Sequence, residues 1–466
     1  MLQKQLKDYF DSHRQDMVAD ICRLVRIDSV KGEPQPGMPF GSGPAAALNE
    51  ALDMARDMGF TVKNWDGYVG TVDFGPGERQ LDMLAHLDVV PVGDDWTVTA
   101  PFVPVERDGM LYGRGTADDK GPAVAALYAM RAVKELGIPL HRSVRLILGT
   151  DEESGSADIA HYYQQQAEAP MTFSPDADFP VINIEKGRAH GEFTAKWETS
   201  EALPRLVSFH AGTRANVVPG LAEAVVAGMS AELIHAAAQL VTAETGITFE
   251  LSEENGVAKI TANGESAHGS MPMDGSNALT GLLTLLCRLP LAQDGATERI
   301  HALNELFPHG DWRGMAAGIA RHDDLSGDTT LACTVLHLEA NELRGEFDGR
   351  TAIGANQENT CDVLIAAMAA RGMELTCRHR PEHYVPADAP IVTELLKCYE
   401  QYTGHKGEPL AIGGGTYVHN LKNGVAFGCA MPGVDNRLHG ADEFAIVDDL
   451  ILSAQMFAQA IADLCG

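Results

Sequence analysis

Five short blocks of the sequence put acidic and imidazole side chains at the ends of apolar runs and in glycine-flanked turns, where α/β enzymes place their chemistry. In LDMLAHLDVVPVGDDW, His86 and Asp88 are two residues apart at a strand end, so both side chains point to one face. That pair suits a metal ligand and the carboxylate that orients its ring; a plain polar strand end looks the same. In LYGRGTADDKGPAV, Asp118 and Asp119 are adjacent in a turn leading into a helix. Neighbouring carboxylates repel unless a cation relieves them; the alternative is a solvated helix cap. LILGTDEESGS sets Asp151, Glu152 and Glu153 directly after an apolar run. One Glu there can bind a metal while its neighbour acts as a general base. SPDADFPVINIEKG holds Asp176 in a proline-rich loop, and PGVDNRLHGADEF holds His439 before the last helix. Each of these two, taken singly, reads as structural.

The elements that must position these groups alternate between strand-like and helix-like. GYVGTVDFG and RQLDMLAHLDVV read as strands, and Val144 to Gly149 reads as a strand buried on both faces. Ala125, Tyr128, Ala129, Ala132, Val133 and Leu136 form a helical stripe between Pro122 and Gly137. Leu2, Leu6, Tyr9, Phe10, Met17, Ile21 and Leu24 form another, and a last amphipathic helix is expected from Glu443 onward. The middle of the chain alternates strands such as RLVSFHAG, GVAKITANG and TTLACTVLHLEAN with helices. The pattern predicts an α/β fold with a mixed, mostly parallel sheet in three layers, interrupted by an inserted α+β domain. The expected boundaries are 1–187 and 385–466 for the split domain and 188–384 for the insert.

Composition removes several classes of function. With 35 Lys and Arg against 65 Asp and Glu, the formal charge of the 466 residues is -30. A polyanion such as nucleic acid needs clustered cations, and so does an anionic membrane surface. The 45% hydrophobic content suits a globular chain. No apolar run is long enough to span a bilayer, and the charged N-terminus lacks a signal-peptide pattern. The eight cysteines are scattered without a CxxC pair and read as free thiols of a reducing compartment. A cytoplasmic protein is expected.

Taken together and in order, HLDVVPVGDDW, GRGTADDKG, GTDEESG, PDADFP, IGGGTY and the final H-x-x-x-E resemble the M20 family of metallopeptidases, in particular its PepV-type dipeptidases. The likeness spans nearly the whole chain and is thinnest in the middle. It implies a catalytic α/β domain with an inserted lid, and two divalent metal ions. Zinc suits the mixed imidazole and carboxylate ligands, and manganese or cobalt could take the same donors. By position, His86 and Asp176 would bind one ion, Glu153 and His439 the other, and Asp118 both. Glu152 would be the general base that takes a proton from a metal-bound water and delivers it to the leaving amine. Asp88 would orient His86, and the Asp118–Asp119 peptide would be cis.

In the insert, NGESAHGSMPMDGSNA resembles the family segment whose histidine, here His268, stabilises the oxyanion. Asn216, Arg350 and Gly415 would bind substrate, Arg350 by bidentate recognition of a carboxylate. Val418 and His419 after GGGTY, and Thr351 and Ala352 after Arg350, depart from the family pattern and bear on substrate preference. The resemblance thus implies a monomeric two-metal dipeptidase acting on dipeptides or short peptides with a free N-terminus. Removal of acyl groups from amino acids or diamines on the same centre is the alternative. A non-catalytic metal- or peptide-binding relative would have lost a ligand or the base, and all are present.

Overall fold

In a computed structural model describing residues 1–466, the chain divides into two compact units. The first comprises Met1–Ile184, Tyr384–Leu410 and Gly415–Gly466. The second comprises Glu185–His383 and Ala411–Gly414. Residues 411–414, expected with the flanking segments, group with the second unit. The Ile412 carbonyl accepts a hydrogen bond from the Lys186 N–H there, at 2.9 Å.

The first unit is built on a mixed sheet in the order Thr61–Trp65, Val69–Phe74, Ser143–Gly149, Arg79–His86, Met171–Ser174, Gly424–Ala426, Val181–Glu185. The four strands from Ser143–Gly149 to Gly424–Ala426 run parallel, and the flanking pairs are antiparallel. Strand Ser143–Gly149 is mostly apolar because it meets a core on each face. Val144, Leu146 and Leu148 join one core with Leu81, Met83 and Ala85, whereas Ile147 joins a second core with Leu84 and Val69. Helices Leu2–Val25, Ser42–Asp57, Lys120–Glu135 and Val447–Cys465 cover the first face, and helix Ala157–Tyr163 with the turn Tyr417–Asn420 covers the second. The last helix starts at Val447 rather than Glu443, because Phe444–Ile446 pairs as a strand with Met110–Tyr112.

Two features hold the turns around Asp118 and His439 in place. Helix Lys120–Glu135 follows the Asp118–Asp119 turn directly, and a Cβ on Gly121 would collide with the Thr116 carbonyl. Glycine alone allows so close an approach. The buried carboxylate of Glu443 accepts hydrogen bonds from the N–H groups of Gly115 (2.9 Å), Ala117 (3.0 Å) and Asp118 (3.3 Å), and pairs with the buried Arg114 guanidinium. Asp442, beside it, accepts from the Thr97 and Val98 N–H groups at 2.9 and 2.8 Å. Elsewhere in this unit, Asn183 and Val385 exchange hydrogen bonds although the whole inserted stretch separates them in sequence.

The second unit is an antiparallel eight-stranded sheet in the order Thr248–Glu254, Val257–Asn263, Leu221–Ala227, Arg205–Ala211, Thr330–Glu339, Glu342–Thr351, Gly187–Lys196, Glu374–Arg380. Helices Ala231–Thr245, Ala278–Leu286, Gly295–Leu306 and Cys361–Ala369 share one core with it. Cys361 and Cys377 are disulfide-bonded, contrary to the reading of eight free thiols. The pairing joins helix Cys361–Ala369 to the strand it packs on, with Cα atoms 5.5 Å apart, a proximity that spacing in sequence does not reveal.

Asp82 is buried in strand Arg79–His86, with Arg79 Nε at 3.3 Å. Burial pushes its pKa up to about 7, against the attraction of Arg79 and Arg145. A carboxyl raised in the fold is ionised in the unfolded chain before it ionises in the native one, so stability falls as pH rises from about 4 to about 7. Asp82→Asn should therefore gain stability relative to the parent between pH 5 and pH 8, measured by chemical denaturation at both; an unchanged difference would refute this. Glu443→Ala leaves a buried Arg114 charge and three N–H groups without their acceptor. It should lower unfolding free energy by about 3–5 kcal/mol, read by the same method.

Candidate metal centre

Strand Arg79–His86 ends on a fully buried imidazole. His86 Nδ1 lies 3.0 Å from the Asp88 backbone carbonyl and 3.5 Å from its carboxylate. Nε2 faces Asp118 (3.0 Å) and Asp176 (3.4 Å); a cation held there would take the Nε2 lone pair in place of a proton, with the Nδ1 proton donated to that carbonyl. The His86 N–H donates to Asp119 Oδ2 at 2.9 Å, which ties the strand end to the neighbouring turn. The peptide between Asp118 and Asp119 is cis.

Asp118 is shared. One oxygen faces His86, and the other lies 2.9 Å from His439 Nε2. His439 also has Glu153 at 3.3 Å and sits at φ 62°, in the loop that Asp442 pins. The centre thus comprises two overlapping donor sets: His86, Asp118 and Asp176, and His439, Asp118 and Glu153. Donor atoms of His86, Asp118 and Glu153 lie within 4.8 Å of one another.

Glu152 and Glu153 open a short 3-10 turn, Glu152–Ser154, at the end of strand Ser143–Gly149. The two oxygens of Asp88 accept the Glu152 and Glu153 N–H groups, each at 3.1 Å. Asp88 therefore fixes the backbone of Glu152 and Glu153 as well as facing His86, a second role that its spacing does not suggest. Beneath the turn, Asp158 accepts the N–H groups of Thr150 (2.6 Å) and Asp151 (2.9 Å) and the Tyr417 hydroxyl. Lys31 pairs with the buried Asp151 at 2.6 Å.

The electrostatics fit a cation site. Burial pushes the Glu153 and Asp176 carboxyls up, and the charge of Asp118 adds to it. Glu152 is raised by burial and by Asp176, Glu153 and Asp118, with His86 opposing. Asp118 goes the other way: burial would raise it, but hydrogen bonds from His439 and His86 outweigh burial and hold it low. His439 is raised to about 10 by Asp118 and Glu153. Glu153 Oε1 is buried with no hydrogen-bond partner. An orphaned carboxylate oxygen beside two imidazoles and a shared carboxylate is a donor set suited to divalent cations.

The remaining expected residues fall in both units. His268 is in the second, on the short strand Ala267–His268 opposite Val217, with Nδ1 2.6 Å from the Ser270 hydroxyl. Asn216 is its neighbour there, its carbonyl accepting the Gly269 N–H at 2.7 Å. Arg350, on strand Glu342–Thr351, is nearly buried, with Nε and Nη2 on Asp348 Oδ2 at 3.0 and 2.8 Å. Gly415 is exposed in the first unit. The four departures from the family pattern are packed inside. Val418 joins the core of Val69, Leu84 and Ile147, His419 is buried, Thr351 meets His379 at 2.9 Å, and Ala352 donates to Thr329. Sequence reasoning missed Arg114, Asp158 and Tyr417, and gave Glu443 no role; the H-x-x-x-E spacing was the one available cue.

Across residues 83–463 the sequence matches peptidase family M20/M25/M40. The Bacillus subtilis (strain 168) protein YtjP is 38% identical over 457 residues, covering 97% of each chain. The Beta-Ala-Xaa dipeptidase of Lactobacillus delbrueckii subsp. lactis is 34% identical over 467 residues, covering 98% of each. Among solved structures, human carnosine dipeptidase 1 is similar in fold, with a TM-score of 0.60 at 16% identity, covering 100% of this chain and 99% of that one. With a match spanning most of its length, and relatives aligned end to end, the chain belongs to peptidase family M20/M25/M40 and is a peptide-bond hydrolase.

Proposed function

We propose that this chain is a two-metal dipeptidase that cleaves dipeptides or short peptides with a free N-terminus. The observation that carries the reading is the shared Asp118, with an imidazole on each oxygen and a further carboxylate beside each imidazole. His86, Asp118 and Asp176 would hold one divalent cation, and His439, Asp118 and Glu153 the second. Such cations, most simply zinc, with manganese or cobalt as alternatives, supply Lewis acidity that polarises a carbonyl and acidifies water.

The protein's own groups do the rest. Glu152 accepts a proton from the attacking water on its carboxylate and passes it to the leaving amine nitrogen, so the base returns to its starting state. Asp88 holds the Glu152 backbone and faces His86, which keeps base and ligand in fixed relation. His268 stabilises the oxyanion, while Asn216, Arg350 and the Gly415 backbone receive the substrate. The choice of dipeptides draws on the name of the Lactobacillus relative, which aligns over its full length. The length of the insert, 188–384, is what supports a monomer, being enough to serve as its own partner. A cytoplasmic location agrees with the absence of any helix long and apolar enough to cross a membrane.

Glu152→Gln should retain the metal content and unfolding midpoint of the parent and lose turnover by about 10²–10⁴-fold. Metal analysis with steady-state kinetics checks this; unimpaired turnover would remove Glu152 from its role. Metal-stripped protein restored with zinc, manganese or cobalt should cleave an unblocked dipeptide faster than its N-acetylated form. A preference for the acetylated form would establish the deacylase alternative instead.

A further inference from the structure

Four consecutive N–H groups of the first unit, those of Thr150, Asp151, Glu152 and Glu153, are bound by two buried carboxylates. Asp158 accepts the first two at 2.6 and 2.9 Å, and Asp88 the last two at 3.1 Å each. Asp88 lies just past the strand end that carries His86. Asp158, in the first turn of helix Ala157–Tyr163, has no role in the reaction proposed above. Its Oδ2 takes both N–H groups and the Tyr417 hydroxyl, while its Oδ1 takes the Ile159 N–H at 2.7 Å.

Tyr417 reaches Asp158 across Gly149. A Cβ on Gly149 would collide with the Tyr417 hydroxyl and with Asp158 Oδ2, so the bond between them requires glycine there. Gly149 stands beside His86 in the parallel register of strands Arg79–His86 and Ser143–Gly149. The Tyr417 ring meets the His86 ring edge-on, with centroids 5.9 Å apart. One side chain thus touches both a candidate metal ligand and the carboxylate that anchors the turn of Glu152. Tyr417 packs in the core of Val69, Leu84 and Ile147, and burial pushes the Asp158 carboxyl up to about 6. A hydroxyl and a carboxyl cost free energy in such a place, and phenylalanine would fill the same space as Tyr417. What offsets that cost is the set of bonds that fixes Thr150 and Asp151.

We propose that Tyr417 and Asp158 are positioning residues that set the place of Glu152 relative to His86. For its effect on turnover this rests on the reading of Glu152 as the base. Asp88 alone would leave the turn free to pivot about the two bonds at Glu152 and Glu153. The bonds to Asp158 at the two preceding residues remove that freedom, and Tyr417 ties them to the His86 ring. Asp158 acts through an oxygen that accepts three hydrogen bonds, not through its charge. Asp158→Asn, with its amide oxygen in the Oδ2 place, keeps all three and gives up only the bond from Ile159.

The test compares Tyr417→Phe, Asp158→Ala and Asp158→Asn with the parent, each restored with the most activating of zinc, manganese and cobalt. The substrate is whichever of an unblocked dipeptide and its N-acetylated form the parent cleaves faster. Tyr417→Phe and Asp158→Ala should lower kcat by about 10–10²-fold at unchanged KM and metal content, and Asp158→Asn should keep most of the parent rate. An unchanged kcat in Tyr417→Phe overturns the proposal. So does a loss that falls on KM alone or only follows a loss of metal, or an Asp158→Asn as impaired as Asp158→Ala. Tyr417→Phe, which removes one hydroxyl, carries the test should Asp158→Ala not fold. Amide hydrogen exchange read by mass spectrometry needs no turnover. Exchange in 150–153 should speed up in Tyr417→Phe while that in 79–86 stays as in the parent; unchanged protection in 150–153 overturns the positioning. If Glu152→Gln retains turnover, it is the base assignment that fails, and the exchange measurement alone decides on the pair.

Discussion

Asp118 has an imidazole on each of its carboxylate oxygens, and much of the first unit serves to keep it between them. His86 reaches it from a parallel strand, and His439 from a loop near the last helix. Neither partner is close to it in sequence. The turn that carries Asp118 is held from below by Glu443, which gathers three of its N–H groups onto one carboxylate. The first turn of helix Lys120–Glu135 presses against the same turn at Gly121. A displacement of Asp118 would separate both donor sets at once, because it is the one residue they share.

The same arrangement concentrates negative charge in a poorly solvated place. Asp88, Asp118, Asp119 and Asp176 converge there with Glu152 and Glu153, and two imidazoles cannot neutralise them all. Burial raises the carboxyls of Asp119, Asp176, Glu152 and Glu153, whereas Asp118, which has both imidazoles, is held low. Three of the five candidate ligands are carboxylates, so two divalent cations would leave that donor set net positive. The acidic composition of the whole chain is a separate matter. It is a property of the whole chain and does not describe the local charge of the centre.

Candidate positions are legible in the sequence where they follow strands: a buried apolar run that stops at a charged residue marks the carboxyl end of a sheet, as at His86 and Glu152. The two ends of the chain share one style in the sequence, and they group in one compact unit. What supports the candidate positions is not legible there. Arg114 and Glu443 are 329 positions apart, and no periodicity links them. Asp158 and Tyr417 meet across a similar gap. The last helix was read too early because Glu443 continues its amphipathic pattern, yet Phe444–Ile446 finds a strand partner in Met110–Tyr112. The Cys361–Cys377 pair escaped for the same reason, being set by the packing of a helix on a strand. Spacing identifies groups that point the same way along one element, and it is silent on groups that tertiary structure brings together.

The hydrogen bonds between Asn183 and Val385 bear on how such a chain can vary in length. They join the two points of the first unit between which the inserted stretch leaves and returns. To the first unit, that stretch is a loop whose ends are already together. The entropy of closing a loop grows only with the logarithm of its length, about 0.6 kcal/mol for each doubling. An insert half as long, or twice as long, would thus change the cost of assembling the sheet and its metal ligands by about that amount. The first unit is therefore nearly indifferent to the size of what it carries, and the second is free to be remodelled without moving the ligands of the centre.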